Sequence, residues 1–239
     1  LSMQKIQLPG GEVLPALGLG TWYMGDTPSQ FENEVSAVRY ALDQGIRLID
    51  TAEMYASGGA ERVIGAAIKN CGNSLREEIF IISKVLPSNA HYKGVIEACD
   101  RSLQRLGVSF IDLYLLHWRG SVPLQETVNA FNFLISAGKI RHFGVSNFDL
   151  NDMRDWYGCE SSRELATNQI LYNLGRRGAE WDVIPFCRER GAPVIAYSPL
   201  EQGRLDGDPR LSEIAARHGV TSLQMALAWV LSQKNVIAI

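Results

Sequence analysis

Ile79–Phe80–Ile81–Ile82–Ser83 is an unbroken apolar run that leads to Lys84, and Leu113–Tyr114–Leu115–Leu116 leads in the same way to His117. Between them, Tyr92–Leu106 reads as a helix closed by Gly107. Two strand-like runs joined through a helix make one strand–helix–strand unit, and the pattern repeats in both directions. Upstream, Leu17–Gly20 reads as a short strand, Phe31–Gln44 as a helix ended by Gly45, Arg47–Asp50 as a strand and Ala60–Lys69 as a helix. Downstream come a helix over Leu124–Ala137 ended by Gly138, a strand over His142–Val145, and a helix opened by Asp149 or Asn151. Ala166–Gln169 is a strand, Glu180–Arg190 a helix closed by Gly191, and Val194–Tyr197 a strand. Helices over Arg210–His218 and Ser222–Gln233 precede a last strand, Val236–Ile239. Ahead of all this, Lys5–Leu8, the turn Pro9–Gly10–Gly11 and Glu12–Leu14 form a hairpin.

Eight strand candidates separated by helices imply a parallel sheet. Their number and spacing point to a closed (β/α)8 TIM barrel, an α/β fold, with residues 1–239 forming one barrel domain. An open dinucleotide-binding sheet is the competing arrangement. It calls for a glycine-rich first turn followed directly by a helix, and Gly18–Leu19–Gly20–Thr21–Trp22 lacks both the third glycine and the helix.

Composition narrows the function. The chain is 46% hydrophobic and 21% charged with a formal charge of −3, so a nucleic-acid surface is not expected. No apolar stretch is long enough for a membrane span. Leu1–Ser2 ahead of Met3 reads as a residue of a cloning vector, and no signal-peptide core follows. Cys71, Cys99, Cys159 and Cys187 are scattered without a Cys-x-x-Cys pair, which argues against a zinc site or a disulfide framework and for a cytoplasmic setting.

The chemistry sits at the strand ends. Asp50 closes the second strand, Tyr55 lies one short loop later, Lys84 ends the third, and His117 follows the fourth. Taken singly, each has an ordinary reading: a turn cap, a half-buried aromatic, a solvated rim charge, a core histidine. Adjacent barrel strands place their ends side by side, so together they make a pocket for proton transfer to a polarised carbonyl. In that pocket Tyr55 is the proton donor, with a phenol whose ordinary pKa near 10 is high for acid catalysis at neutral pH. A neighbouring ammonium, Lys84, is expected to lower it, with Asp50 keeping Lys84 charged. His117 would orient and polarise the carbonyl. His91, His142 and His218 are read as structural.

The run Leu48–Ile49–Asp50–Thr51–Ala52–Glu53–Met54–Tyr55 resembles the signature of the aldo-keto reductases. So do Gly58–Gly59–Ala60–Glu61, Ile82–Ser83–Lys84, Asp112–Leu113–Tyr114–Leu115–Leu116–His117–Trp118 and Gly144–Val145–Ser146–Asn147–Phe148. Asn168–Gln169, Tyr172–Asn173 and Ala196–Tyr197–Ser198–Pro199–Leu200 extend the likeness over nearly the whole chain. Within the family the chain is similar to small bacterial aldehyde reductases, including those acting on methylglyoxal. The resemblance implies NADPH-dependent reduction of aldehydes or ketones without a metal. It makes Tyr55 the acid, Lys84 and Asp50 its tuning groups, and His117 the group that orients the carbonyl.

The same resemblance assigns the cofactor wall. Ser146, Asn147 and Gln169 would bind the nicotinamide carboxamide, Tyr197 would stack on its ring, and Ser198, Leu200, Gln202 and Gly203 would hold the pyrophosphate. Thr21, Trp22 and Asp50 join that set. Trp22 and Trp118, with Tyr55 and His117, are expected to line the substrate mouth. Family members usually continue past the eighth strand with a basic segment that grips the adenosine 2′-phosphate and opens the closing helix. The sequence as given stops at Ile239, so the final helix and C-terminal tail are absent from it, and no residue is assigned to choosing NADP over NAD. Two readings of that end stay open: the ordered part of a longer protein, or a truncated barrel with an apolar face exposed.

Two function classes follow. The first is a carbonyl reductase taking a small-molecule substrate, without nucleic-acid or membrane partners, acting as a monomer. The second is a cofactor-binding regulatory or interaction subunit of the same fold with little turnover. The complete set Asp50, Tyr55, Lys84 and His117 favours the enzyme.

Overall fold

The computed structural model describes residues 4–69, 72–162 and 165–239; Cys71 lies outside them. Strands β1 (Lys5–Gln7) and β2 (Val13–Pro15) form the antiparallel hairpin. Eight parallel strands follow: β3 (Leu19–Gly20), β4 (Leu48–Asp50), β5 (Phe80–Val85), β6 (Ile111–Leu116), β7 (Ile140–Ser146), β8 (Asn168–Leu171), β9 (Val194–Tyr197) and β10 (Val236–Ala238). Each pairs with its neighbours in chain order. The ring closes where Gly18 N–H donates to the Ala238 carbonyl and Ala238 N–H to the Ala16 carbonyl, both at 2.8 Å, with Leu17 bridged to Ala238. This is the barrel expected from the alternating pattern.

Strand side chains alternate between two cores, as the period of two requires. Leu48, Phe80, Ile82, Leu113, Leu115, Ile195 and Ile237 fill the bore together with Ile6, Leu8, Leu14 and Ala16 of the hairpin. The hairpin therefore plugs the N-terminal end of the barrel, and His142 Nε2 lies 2.6 Å from Glu12 Oε2 to fasten it. Ile49, Ile81, Tyr114, Leu116, Val145 and Ala196 point the other way, into the helical layer. That layer comprises α1 (Phe31–Asp43), α2 (Gly59–Ile68), α3 (Gly72–Glu78), α4 (Tyr92–Leu106), α5 (Leu124–Ser136), α6 (Leu150–Tyr157), α7 (Val183–Glu189), α8 (Pro209–Arg217) and α9 (Ser222–Leu231). No helix among the described residues is long and apolar enough to cross a membrane.

Several elements differ from the sequence reading for identifiable reasons. Helix α3 was not anticipated, because Gly72–Glu78 has a single apolar residue, Leu75, and so no hydrophobic period. The helix expected over Glu180–Arg190 divides into a 3-10 turn, Gly178–Glu180, and α7, because the Asp182 side chain accepts the Val183 N–H and restarts the helix. Asp149, not Asn151, caps α6, in a reciprocal pair with Asp152. His91 is structural in a specific sense: its Nδ1 accepts the Gly94 N–H and caps α4.

One buried carboxylate fastens the helical layer behind the future site. Glu61 of α2 accepts from Ser83 Oγ of β5 at 2.7 Å and from Arg105 Nε of α4 at 2.5 Å. It is fully buried and Arg105 largely so. Removing one member of such a pair leaves a desolvated charge without compensation. Glu61→Ala is therefore expected to lower the unfolding free energy by about 3–5 kcal/mol in denaturant titration, whereas a loss under about 1 kcal/mol, as for exposed pairs, would contradict the tie.

Candidate active site

The inward parity of the strands delivers the site. Leu48 and Ile82 face the bore, so Asp50 and Lys84, two residues further on, face it as well. Leu113 and Leu115 place His117 in the same way. Tyr55 arrives differently, from a 3-10 turn over Tyr55–Gly58 in which Ala56 and Ser57 both have φ of 50° and Gly58 has φ of 84°. Left-handed backbone at a non-glycine residue is of order 1–3 kcal/mol unfavourable, so this turn is held by its surroundings. Gly58 itself admits no side chain, since a Cβ there would lie 2.4 Å from Cδ of Arg105.

Lys84 is the hub of the arrangement. Its ammonium is fully buried and donates three hydrogen bonds: to Asp50 Oδ2 at 2.7 Å, to the Thr51 carbonyl at 2.9 Å and to Tyr55 Oη at 3.1 Å. Three protons meet three acceptors, so Lys84 has no donor left over. It follows that Tyr55 accepts from Lys84 and keeps its own proton available. The His117 ring stands edge-on to the Tyr55 ring, with centroids 5.9 Å apart.

On the far side, Ser146, Asn147, Gln169 and Tyr197 are linked to one another and to the tetrad. Register pairs Ser146 with Gln169. The close approach needed there passes over Gly144, where a Cβ would stand 2.6 Å from the Thr167 carbonyl. Ser146 Oγ donates to the Gln169 carbonyl at 2.9 Å. Asn147 Nδ2 donates to the His117 carbonyl at 3.1 Å, and Asn147 Oδ1 accepts from Tyr197 Oη at 2.8 Å. Gln169 Nε2 donates to Asp50 Oδ1 at 2.7 Å.

A cavity of about 410 Å³ opens over these groups. Asp50, Tyr55, His117, Trp22, Trp118, Ser146, Asn147, Gln169, Tyr197 and Ser198 all line it. Lys84 sits beneath, bonded to two of the lining residues, Asp50 and Tyr55. Trp22 is 47% exposed and stacks on Tyr23 at a centroid distance of 4.4 Å. Trp118 packs on His117 at 4.9 Å.

The structure does not bring every expected residue to the wall. Thr21 is fully buried, with its hydroxyl donating to the Asp50 carbonyl at 2.9 Å. It supports β4 from behind and offers no side chain to a cofactor. Leu200, Gln202 and Gly203 do not line the cavity; they follow Ser198, which does, and Glu201–Gly203 make a 3-10 turn. Sequence reasoning missed Gly20, Met54 and Ile239, which line the cavity. Met54 directly precedes Tyr55, the one signal that marks it. Glu201 was missed too: it accepts from Asn173 Nδ2 at 2.5 Å and from Arg176 and Arg204 at 3.1 Å each. These bonds draw its carboxyl down to about 2.

Burial decides the electrostatics. It pushes Tyr55 above its ordinary phenol value, opposed by Lys84 and reinforced by Asp50 and Tyr197. The expected lowering by Lys84 is thus outweighed, and Tyr55 is a neutral phenol at physiological pH. Burial also pushes the Asp50 carboxyl upward, against Lys84 and the hydrogen bonds it accepts. At Lys84 burial pulls downward but is overcome by Asp50 and Tyr55, which hold the ammonium above its ordinary value. Burial and then the Lys84 charge draw His117 down to about 3. A folded value below the unfolded ~6.5 means that its contribution to stability is complete above about pH 6.5 and drains away as pH falls toward 3. Nitrogen NMR of the His117 ring, identified by its loss in His117→Ala, should therefore show a neutral imidazole from about pH 8 to about pH 5. A midpoint near the ordinary value would contradict this.

The aldo/keto reductase family model matches residues 16–239. Methylglyoxal reductase YeaE of Escherichia coli (strain K12) is 48% identical over 244 residues, spanning 100% of this chain and 84% of that protein. The NADH-specific methylglyoxal reductase of the same strain is 31% identical, over 99% of this chain and 88% of that protein. An aldo/keto reductase from Klebsiella pneumoniae, crystallised with NADP and acetate, superimposes with a TM-score of 0.94 at 43% identity. That superposition covers 100% of this chain and 84% of the other. The chain belongs to the aldo/keto reductase family, a (β/α)8-barrel oxidoreductase.

Proposed function

We propose that this chain reduces small aldehydes and ketones, methylglyoxal among them, with NADPH as reductant and Tyr55 as general acid. The observation that carries the reading is the buried Lys84 ammonium donating at once to Asp50 Oδ2 at 2.7 Å and to Tyr55 Oη at 3.1 Å, while burial favours the neutral forms of Tyr55 and His117. In the proton step, Tyr55 O–H gives its proton to the carbonyl oxygen. The phenolate oxygen left behind accepts from Lys84, whose charge is fixed by Asp50. That placement of a cation at the developing charge lowers the barrier where the charge appears. His117, as a neutral ring, donates to the same carbonyl oxygen and orients it. Trp22, Met54 and Trp118 give the mouth an apolar rim for a small carbonyl compound.

The residues present fit a nicotinamide cofactor. A flat Tyr197 ring and the amide and hydroxyl groups of Asn147, Gln169 and Ser146 share one cavity wall, which suits a planar ring carrying a carboxamide. Ser198, Gln202 and Gly203 have φ of 50°, 55° and 83°. Left-handed residues of this kind can turn backbone N–H groups toward an anion, so this loop, with Leu200, would hold the pyrophosphate; the Gly203 N–H itself donates to the Leu200 carbonyl at 3.0 Å. The cofactor supplies the hydride when bound. A cofactor-binding subunit without turnover would have no use for a protonated Tyr55 held on a buried ammonium.

Loss of NADPH absorbance on adding methylglyoxal tests the reading, with NADH run in parallel to fix the cofactor preference. Tyr55→Phe is expected to lower turnover by roughly 10²–10⁴ while leaving NADPH affinity nearly intact; full activity would remove Tyr55 as the acid. Lys84→Met should be severely impaired in turnover, and wild-type rates in that variant would mean Lys84 does not act on Tyr55.

A further inference from the structure

The hydrogen bond between Gln169 and Asp50 spans the barrel. Four places separate β4 from β8 in a closed ring of eight strands, so the two residues stand on opposite walls. Gln169 Nε2 crosses the bore to Asp50 Oδ1 at 2.7 Å, and both residues are buried. Asp50 thus has one oxygen held by Lys84 and the other by Gln169. The Gln169 amide oxygen has no hydrogen-bond partner among the described residues, and Gln169 lines the cavity. One amide therefore has its N–H committed to the proton relay and its carbonyl free on the cofactor wall.

We propose that Gln169 is a positioning residue that holds Asp50 ionised and makes the charge of the Asp50–Lys84–Tyr55 relay respond to occupancy of the amide subsite. The inference rests on the cofactor placement proposed above. A hydrogen bond to the charged form of a carboxyl favours that form. An amide that accepts at its oxygen becomes a stronger donor at its nitrogen. Donation from a carboxamide N–H to Gln169 Oε1 would then tighten the bond to Asp50 and stabilise its carboxylate. Fewer protons bound to Asp50 keep Lys84 charged and its donation to Tyr55 intact. The titratable groups around Asp50 are Lys84 from β5, Tyr55 from its turn, His117 at the end of β6 and Tyr197 at the end of β9.

Carbon NMR of the Asp50 carboxyl, identified by its loss in Asp50→Asn, tests the idea in the cofactor-free protein without reference to turnover. Gln169→Met keeps the side-chain length and removes the donor. Its Asp50 midpoint is expected to rise by about one pH unit or more, the usual size for losing a hydrogen bond to a charged group. A midpoint unchanged from wild type would overturn the proposal. Should Gln169→Met not fold, Gln169→Glu serves. Two adjacent carboxyls sharing the bond would titrate as a coupled pair with separated midpoints, whereas two independent ordinary titrations would overturn it. Adding NADPH should lower the Asp50 midpoint in the wild type and leave it in place in Gln169→Met. An equal response in both would remove the coupling to the subsite. Absence of NADPH-dependent reduction by the wild type would instead count against the proposed function alone.

Discussion

Everything at the mouth of this barrel depends on an ammonium with no water to hydrate it. Lys84 is fully buried, and a charge in that position is tolerated only with a complete set of partners. Asp50, the Thr51 carbonyl and Tyr55 Oη supply that set. Meeting the requirement fixes the rest. Asp50 must end β4 facing inward, and the chain after it must turn sharply enough to return a phenol to the same nitrogen. The two left-handed residues after Tyr55 are the local strain that this return demands, and Gly58 leaves room where a Cβ would collide with Arg105. Tyr55 is left with one direction in which to give its proton, the cavity.

The fold makes those demands easy to satisfy. A closed ring of parallel strands aims every second side chain at one axis, so groups far apart in sequence meet without loops long enough to be mobile. The hairpin plug and the bore side chains keep one end dry, while Glu61 and Arg105 brace β5 from behind. The polar groups of the site gather at the other end, and there they bind one another across the whole width of the barrel, from Tyr197 through Asn147 to His117 and from Gln169 to Asp50.

Much of this was legible in the chain. Strand β9 and helix α4 fall on the residues read from their apolar patterns and glycine stops, because those elements are fixed by burial and local sterics. Asp50, Lys84 and His117 were legible because each stands at or beside the end of an apolar strand, and Tyr55 because it lies one short loop after Asp50. Other features depend on tertiary contacts and leave no such trace. Helix α3 has no hydrophobic face to announce it. Thr21 sits beside the tetrad in the ring but turns its hydroxyl to the Asp50 backbone. The direction of the Tyr55 shift turns on how far burial outweighs one nearby cation, a balance that residue types alone do not contain. Glu201 gains its role from Asn173 and Arg176, which reach it from another loop.

The proposed reduction needs a proton donor that is weak in the empty site and strong at the moment an alkoxide forms. A buried phenol on a fixed ammonium has both properties, since burial keeps the proton on and the ammonium stabilises the anion once the proton leaves. The assignment of protons within the Tyr55–Lys84–Asp50 contact is therefore the central claim, and neutron diffraction from deuterated crystals reads it directly. The account predicts three deuterons on Lys84 Nζ, directed at Asp50 Oδ2, the Thr51 carbonyl and Tyr55 Oη, and one on Tyr55 Oη pointing into the cavity. Two deuterons on Lys84 Nζ, with Tyr55 donating to it, would contradict the account.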